Sequence, residues 1–124
     1  MTFQDKRIAI VRALVDTGIS IKHIAFSKDD IPNSFPSAIV ILDGERGRNK
    51  SSRRFLSFEH DIQVFLIADV NNSDDPDSVI LELSDRFKAN YLRNVGDDIP
   101  KIEFYPARAD AGRKVRIAKV YTVI

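Results

Sequence analysis

The sequence predicts an α+β fold: a mainly antiparallel, four-stranded sheet with a long β-hairpin arm and two helices packed on it, in the order α-β-β-α-β-β. Three observations predict it. From Phe55 to Asp69 every second residue is apolar except His60, while the residues between are mostly polar. Such alternation belongs to a strand with one face on a core. From Pro76 to Leu92, Val79, Ile80, Leu83, Phe87 and Tyr91 recur at helical spacing. Near the start, Thr2 and Asp5 have the spacing of a capping box, and Ile8, Val11, Leu14 and Val15 follow on one helical face.

In chain order, the first helix is expected over Phe3–Thr17, with Gly18 where a left-handed residue ends a helix. Gly18 to Pro36 is irregular: Ile19, Ile21 and Ile24 alternate loosely, and Pro32 and Pro36 interrupt any long element. A short strand near Ile21–Ala25 fits, and the remainder reads as a packed connector. Ser37–Asp43 is a strand apolar on both faces, with Ile39 and Ile41 on one and Ala38, Val40 and Leu42 on the other, as for an interior strand. Asp43-Gly44 is a turn signal.

The strand from Phe55 to Asp69 would span roughly 45 Å at about 3.3 Å per residue, longer than the body of a small domain. It should project at one end. With the basic stretch before it, it makes a hairpin arm at about residues 43–58. Asn71–Asp75 is a turn cluster. Asp75 caps the second helix, Pro76 takes its first position, and Gly96 and Pro100 end it. Lys101–Tyr105 reads as a short strand with Ile102 and Phe104 inward, confined by Pro106 to an edge. After a turn at Asp110-Ala111-Gly112, Lys114–Ile124 alternates, with Val115, Ile117, Tyr121 and Val123 on one face and Lys119 interrupting it.

The 124 residues suit one domain, 1–124, with 44% hydrophobic and 30% charged residues. There are no cysteines, which excludes disulfides, thiol chemistry and thiolate zinc sites. With 19 basic and 18 acidic residues, any attraction to nucleic acid must be local. MTFQDKR lacks the apolar run of a signal peptide, and the longest apolar runs, AIVIL and VFLIA, are far short of the ~20 residues that span a bilayer.

Catalytic signatures are absent. His60 suggests a general base, but Asp61 points to the opposite face of the strand and cannot form a local dyad with it. His60 is expected near the end of the core face, partly solvated. Asp74, Asp75 and Asp77 lack the spacing of a calcium loop and read as a helix cap. Asp97 and Asp98 read as a solvated turn. The glycines form no phosphate-binding loop, and no metal or cofactor set is expected.

Two features point to interactions. Arg46, Arg48, Lys50, Arg53 and Arg54 crowd one stretch, offset only by Glu45. They suit a phosphate backbone, an acidic protein surface or a solvated hairpin tip. No aromatic is interleaved, so base stacking is not indicated. Phe65 and Ile67 lie on the otherwise polar face of the long strand. The first helix, the 19–35 connector or a neighbouring subunit must cover them.

The series P-S-A-I-V-I-L-D, the basic hairpin, H-D-I-Q-V-F-L-I-A-D and D-P-D-S-V-I-L-E-L-S-D-R-F, followed by a closing pair of strands, resembles the tail-terminator and tail-completion (head–tail joining) proteins of long-tailed bacteriophages. The resemblance rests on element order and covers most of the chain from about residue 3. It implies a non-catalytic virion protein of the tail and neck, assembled in the host cytoplasm. It also implies a ring, typically hexameric, that caps the tail tube and meets the head connector, with DNA passing through its channel. The expected partners are therefore copies of itself, the tail tube protein, the head connector or stopper protein, and DNA by nonspecific contact. A head-side neck or stopper protein, a sequence-nonspecific nucleic-acid-binding module using Arg46–Arg54, and a small enzyme using His60 are the alternatives.

Overall fold

A computed structural model describes residues 2–16, 18–49, 56–110 and 112–124. The fold is α+β, with helices α1 (Phe3–Val15) and α2 (Pro76–Val95) and strands β1 (His23–Ala25), β2 (Ser37–Asn49), β3 (Leu56–Asp69), β4 (Lys101–Asp110) and β5 (Arg113–Val123). The expected four-stranded antiparallel sheet is corrected. Among the described residues the sheet has five strands in the order β1-β2-β3-β5-β4, and β1 runs parallel to β2 while the other pairs are antiparallel. The element order is therefore α-β-β-β-α-β-β, with the additional strand inside the stretch Ile21–Ala25. A parallel pair needs a crossover between its strands. Here residues 26–36 supply it without a helix.

Both helices lie on one face of the sheet, where Ile10, Leu14, Ile80, Phe87 and Tyr91 pack with Val40, Val64, Leu66 and Val120. α1 begins as its capping box predicts: Thr2 Oγ1 accepts from the Asp5 amide, and the Asp5 carboxylate accepts from the Thr2 amide. Its buried face is not the expected one. Lys6, Ile10, Ala13 and Leu14 are buried, whereas Ile8 and Val15 are 48% and 61% exposed. The apolar stripe alone misses the rotation because a lysine occupies the inward position of the first turn.

α2 is the expected helix extended by a few residues. Asp75 caps it, Pro76 opens it, and Gly96 at φ 86° closes it by donating its N–H to the Leu92 carbonyl. Asn90 Nδ2 donates to the Ala13 carbonyl and Asn94 Nδ2 to Asp16 Oδ2, which ties the end of α1 to α2.

Three strand expectations change. β2 does not turn at Asp43-Gly44 but continues to Asn49 through a bulge between Leu42 and Gly44. β4 runs on through Pro106 to Asp110, with a bulge between Tyr105 and Arg108 at the sheet edge, where a residue without an N–H costs no ladder bond. Ile102 packs inward, but Phe104 is 40% exposed. In β5 the face beneath the helices is Ala118, Val120 and Thr122. Val115 and Ile117 point to the opposite side, because Val64 pairs with Val120 and Ile67 with Ile117.

Two stability predictions follow from α2. A Cβ at Gly96 meets nothing within 4 Å, so Gly96→Ala is charged only for its left-handed backbone. It should lower unfolding free energy by about 1 kcal/mol in urea titration. The Tyr91 hydroxyl is buried beside Thr122, whose own proton goes to the Ile62 carbonyl, and burial pushes the phenol up to about 12. The fold favours the neutral phenol. Its contribution is complete below the unfolded value near 10 and is lost as pH rises toward 12, at about 1.4 kcal/mol per unit. Tyr91→Phe should remove that alkaline slope, and an unchanged slope in the variant would show that another group causes it.

Candidate functional site

Two features of the fold offer surfaces for function: the arm and the sheet face without helices. The arm begins where the neighbouring strands end. β1 accompanies β2 only from Ser37 to Ile39, and β5 leaves β3 at Asp61, with one further backbone pair between Ile124 and His60. From Gly44↔Asp61 to Asn49↔Leu56, β2 and β3 pair with each other.

The bulge at Asp43 decides what the arm presents. On its body side Leu42 lies opposite Ile62. Beyond it Gly44 lies opposite Asp61, Glu45 opposite His60 and Arg46 opposite Glu59. One extra residue exchanges the two faces of β2. Glu45 therefore joins His60 on the helix side, and Arg46 joins Asp61 and Glu59 on the open side.

A buried polar cluster fixes the base of the arm. Lys6 is 5% exposed, and its ammonium donates to the Phe58 carbonyl at 2.8 Å, to the Ile124 main-chain oxygen at 2.7 Å and to His60 Nδ1 at 2.8 Å. All three of its protons are used. Because an ammonium only donates, Nδ1 accepts. The ring proton then sits on Nε2 and goes to Glu45 Oε2 at 2.7 Å. The Phe3 ring covers the imidazole at 5.3 Å between centroids. His60 is thus 5% exposed rather than partly solvated, with both nitrogens engaged. It holds α1, β2, β3 and the end of β5 together and offers no free nitrogen for general-base chemistry.

The basic residues divide. Arg46 is held by Asp61 at 2.5 Å and by Glu59 at 3.9 Å, which lowers its value as a phosphate contact. Arg48 lies in β2 opposite Ser57. Lys50, Arg53 and Arg54 lie outside the described residues, as does Phe55.

On the open face, Phe65 and Ile67 are overlaid only in part by the connector and not by α1, which lies on the other side. Ile67 packs with Val115 and Ile117, and Phe35 of the connector and Ile39 and Phe65 of the sheet pack against them. Between the connector and the β4 bulge a groove of about 680 Å³ remains, floored by Ile39, Phe65, Ile67 and Ile117 and rimmed by Lys28 and Arg108. The Lys28 and Lys119 ammonium groups stand 5.3 Å and 5.7 Å from the Phe65 ring centre.

Farther along the face, Glu103 accepts from Lys101, Tyr121 and Tyr105. The hydrogen bond from Lys101 leads in holding its carboxyl below the usual range. Tyr121, by hydrogen bond, and Glu103, opposite in the β4–β5 ladder, hold the Lys119 ammonium's pKa up. Among the described residues no carboxylate stands within ion-pair distance of Lys28 or Arg108, and no group of three or more potential metal ligands occurs. No described helix is long and apolar enough to cross a membrane. No family model and no curated protein matches the chain.

The Lys6–His60–Glu45 cluster was missed in the sequence. Its signal is two polar interruptions of otherwise apolar faces, Lys6 on α1 and His60 on β3. Lys6→Met should cost about 1–3 kcal/mol, because it leaves the buried His60 Nδ1 without a donor and takes one donor each from the Phe58 and Ile124 oxygens, the latter keeping the His60 N–H. The double variant Lys6→Met/His60→Leu should cost less than the sum of the two singles by more than about 1 kcal/mol in denaturant unfolding. Simple additivity would mean that the two side chains do not stabilise each other.

Proposed function

We propose that this chain is a structural subunit of a long-tailed phage virion, forming a ring that terminates the tail tube and joins it to the head connector. The observation that carries this reading is the arm, a two-stranded extension with a rigidly anchored base. A buried ammonium, an imidazole and a carboxylate lock that base to α1. An extension so fixed suits reaching a neighbour at a set angle, as subunits of a ring must. The open apolar face gives a second contact surface.

The reading is non-catalytic. Both nitrogens of His60 are spent on structure. The ring is expected to be hexameric, with the tail tube protein on one side and the connector or stopper on the other. DNA in the channel would meet it only through sequence-blind contacts. The head-side stopper is the same kind of assembly placed one joint higher. The nucleic-acid module loses support from Arg46, whose guanidinium is already engaged by Asp61 and Glu59.

Native mass spectrometry and sedimentation across a concentration series, with and without purified tail tubes, should reveal a closed oligomer that binds tube ends. Shortening the arm between residues 48 and 57 should abolish tube binding and leave the melting transition of the body in place. A protein that stays monomeric and ignores tubes sinks the proposal. Salt-sensitive DNA binding that disappears when Arg48, Lys50, Arg53 and Arg54 become alanine would favour the nucleic-acid module instead.

A further inference from the structure

We propose that the groove on the open sheet face receives the outer face of α2 from a second copy of this chain, head to tail. This deepens the reading of the protein as an assembling subunit and rests on it. The argument begins with charge. The groove has an aliphatic and aromatic floor, and Lys28 and Arg108 rim it without an ion-pair partner among the described residues. Its occupant should carry an apolar side chain flanked by carboxylates.

The chain contains such a surface. Residues 71–85 include Asp74, Asp75, Asp77, Glu82 and Asp85 and no lysine or arginine. In their midst Leu81 is 49% exposed on the side of α2 that faces away from the sheet. Asp75 caps the helix and Asp77 pairs with Arg116. Glu82 and Asp85, 65% and 56% exposed, are bound by Arg86 and Lys88 of the same helix, pairs open to solvent that are weakly held. The basic arm is a poor occupant for the same groove, since it would set cation against cation.

Position supplies the second half. The groove opens on the face without helices, and α2 lies on the other face. One molecule cannot satisfy both surfaces with itself. Each copy would offer a groove to one neighbour and a helix to the next. That is a heterologous contact, which closes into a ring or runs on as a filament. A two-fold dimer would use one patch twice and would leave the complementary pair unused.

A charge-swap experiment on the full chain tests this. Lys28→Glu/Arg108→Glu makes the groove acidic, and Glu82→Lys/Asp85→Lys makes the helix basic. Each variant alone sets like charge against like charge. Self-association should weaken roughly 100-fold, with an unchanged circular dichroism spectrum showing that both variants fold. In an equimolar mixture each groove meets a complementary helix, so assembly should return to the wild-type size by sedimentation. Variants that assemble as the wild type does, or a mixture that stays dissociated, overturn the groove–helix contact and leave the ring reading standing on other surfaces. A wild type that remains monomeric at every concentration and with tubes overturns both.

Discussion

A buried ammonium group needs three acceptors, and satisfying Lys6 organises much of this molecule. Its acceptors come from distant parts of the chain: Phe58 and His60 on β3 and the main chain of Ile124. An uncompensated charge in such a position costs several kcal/mol, so the four elements that meet there are held in one arrangement. The imidazole passes the constraint on. With Nδ1 committed to Lys6, Nε2 must donate, and a carboxylate is the fitting acceptor. Glu45 answers from β2 at 2.7 Å. The arm is therefore anchored through side chains as well as through its ladder.

That anchor exists only because of the bulge at Asp43. In an unbroken ladder Glu45 would share a face with Ile39 and Ile41 and point away from the helices. The extra residue turns it toward His60 and turns Arg46 toward Asp61 and Glu59. Gly44 sits at this crossing, where a Cβ would approach the Asp61 carboxylate to 3.3 Å. One inserted residue thus changes a basic cluster into a partly neutralised one and completes the buried relay.

The two faces of the sheet have different fates. The helix side closes over a continuous core from Ile10 to Val120. Among the described residues the other side receives only the helix-free crossover between β1 and β2, too little chain to cover it. The uncovered remainder is apolar at its floor and cationic at its rim, while the exposed side of α2 is acidic around Leu81. The two broad sides therefore differ in the charges that flank their exposed apolar residues.

Local chemistry was legible where it acts within a few residues. The capping box at Thr2 and Asp5, the Asp75-Pro76 start and Gly96 end of α2, and the alternation of β3 are set by steric and hydrogen-bonding rules that need no distant partner. Pro106 likewise marked an edge, because a missing N–H is tolerated only there. The sequence by itself determined these elements and the α+β class. Register and partnership across the chain were decided only by the tertiary structure. Asp43-Gly44 became a bulge because continuous pairing with β3 outweighed a local turn preference. β1 gained strand character from β2 alongside it. The inward face of α1 was set by where Lys6 could find acceptors, and that of β5 by its alignment with Val64. Each of these depends on groups separated by tens of residues, and no local periodicity contains that information.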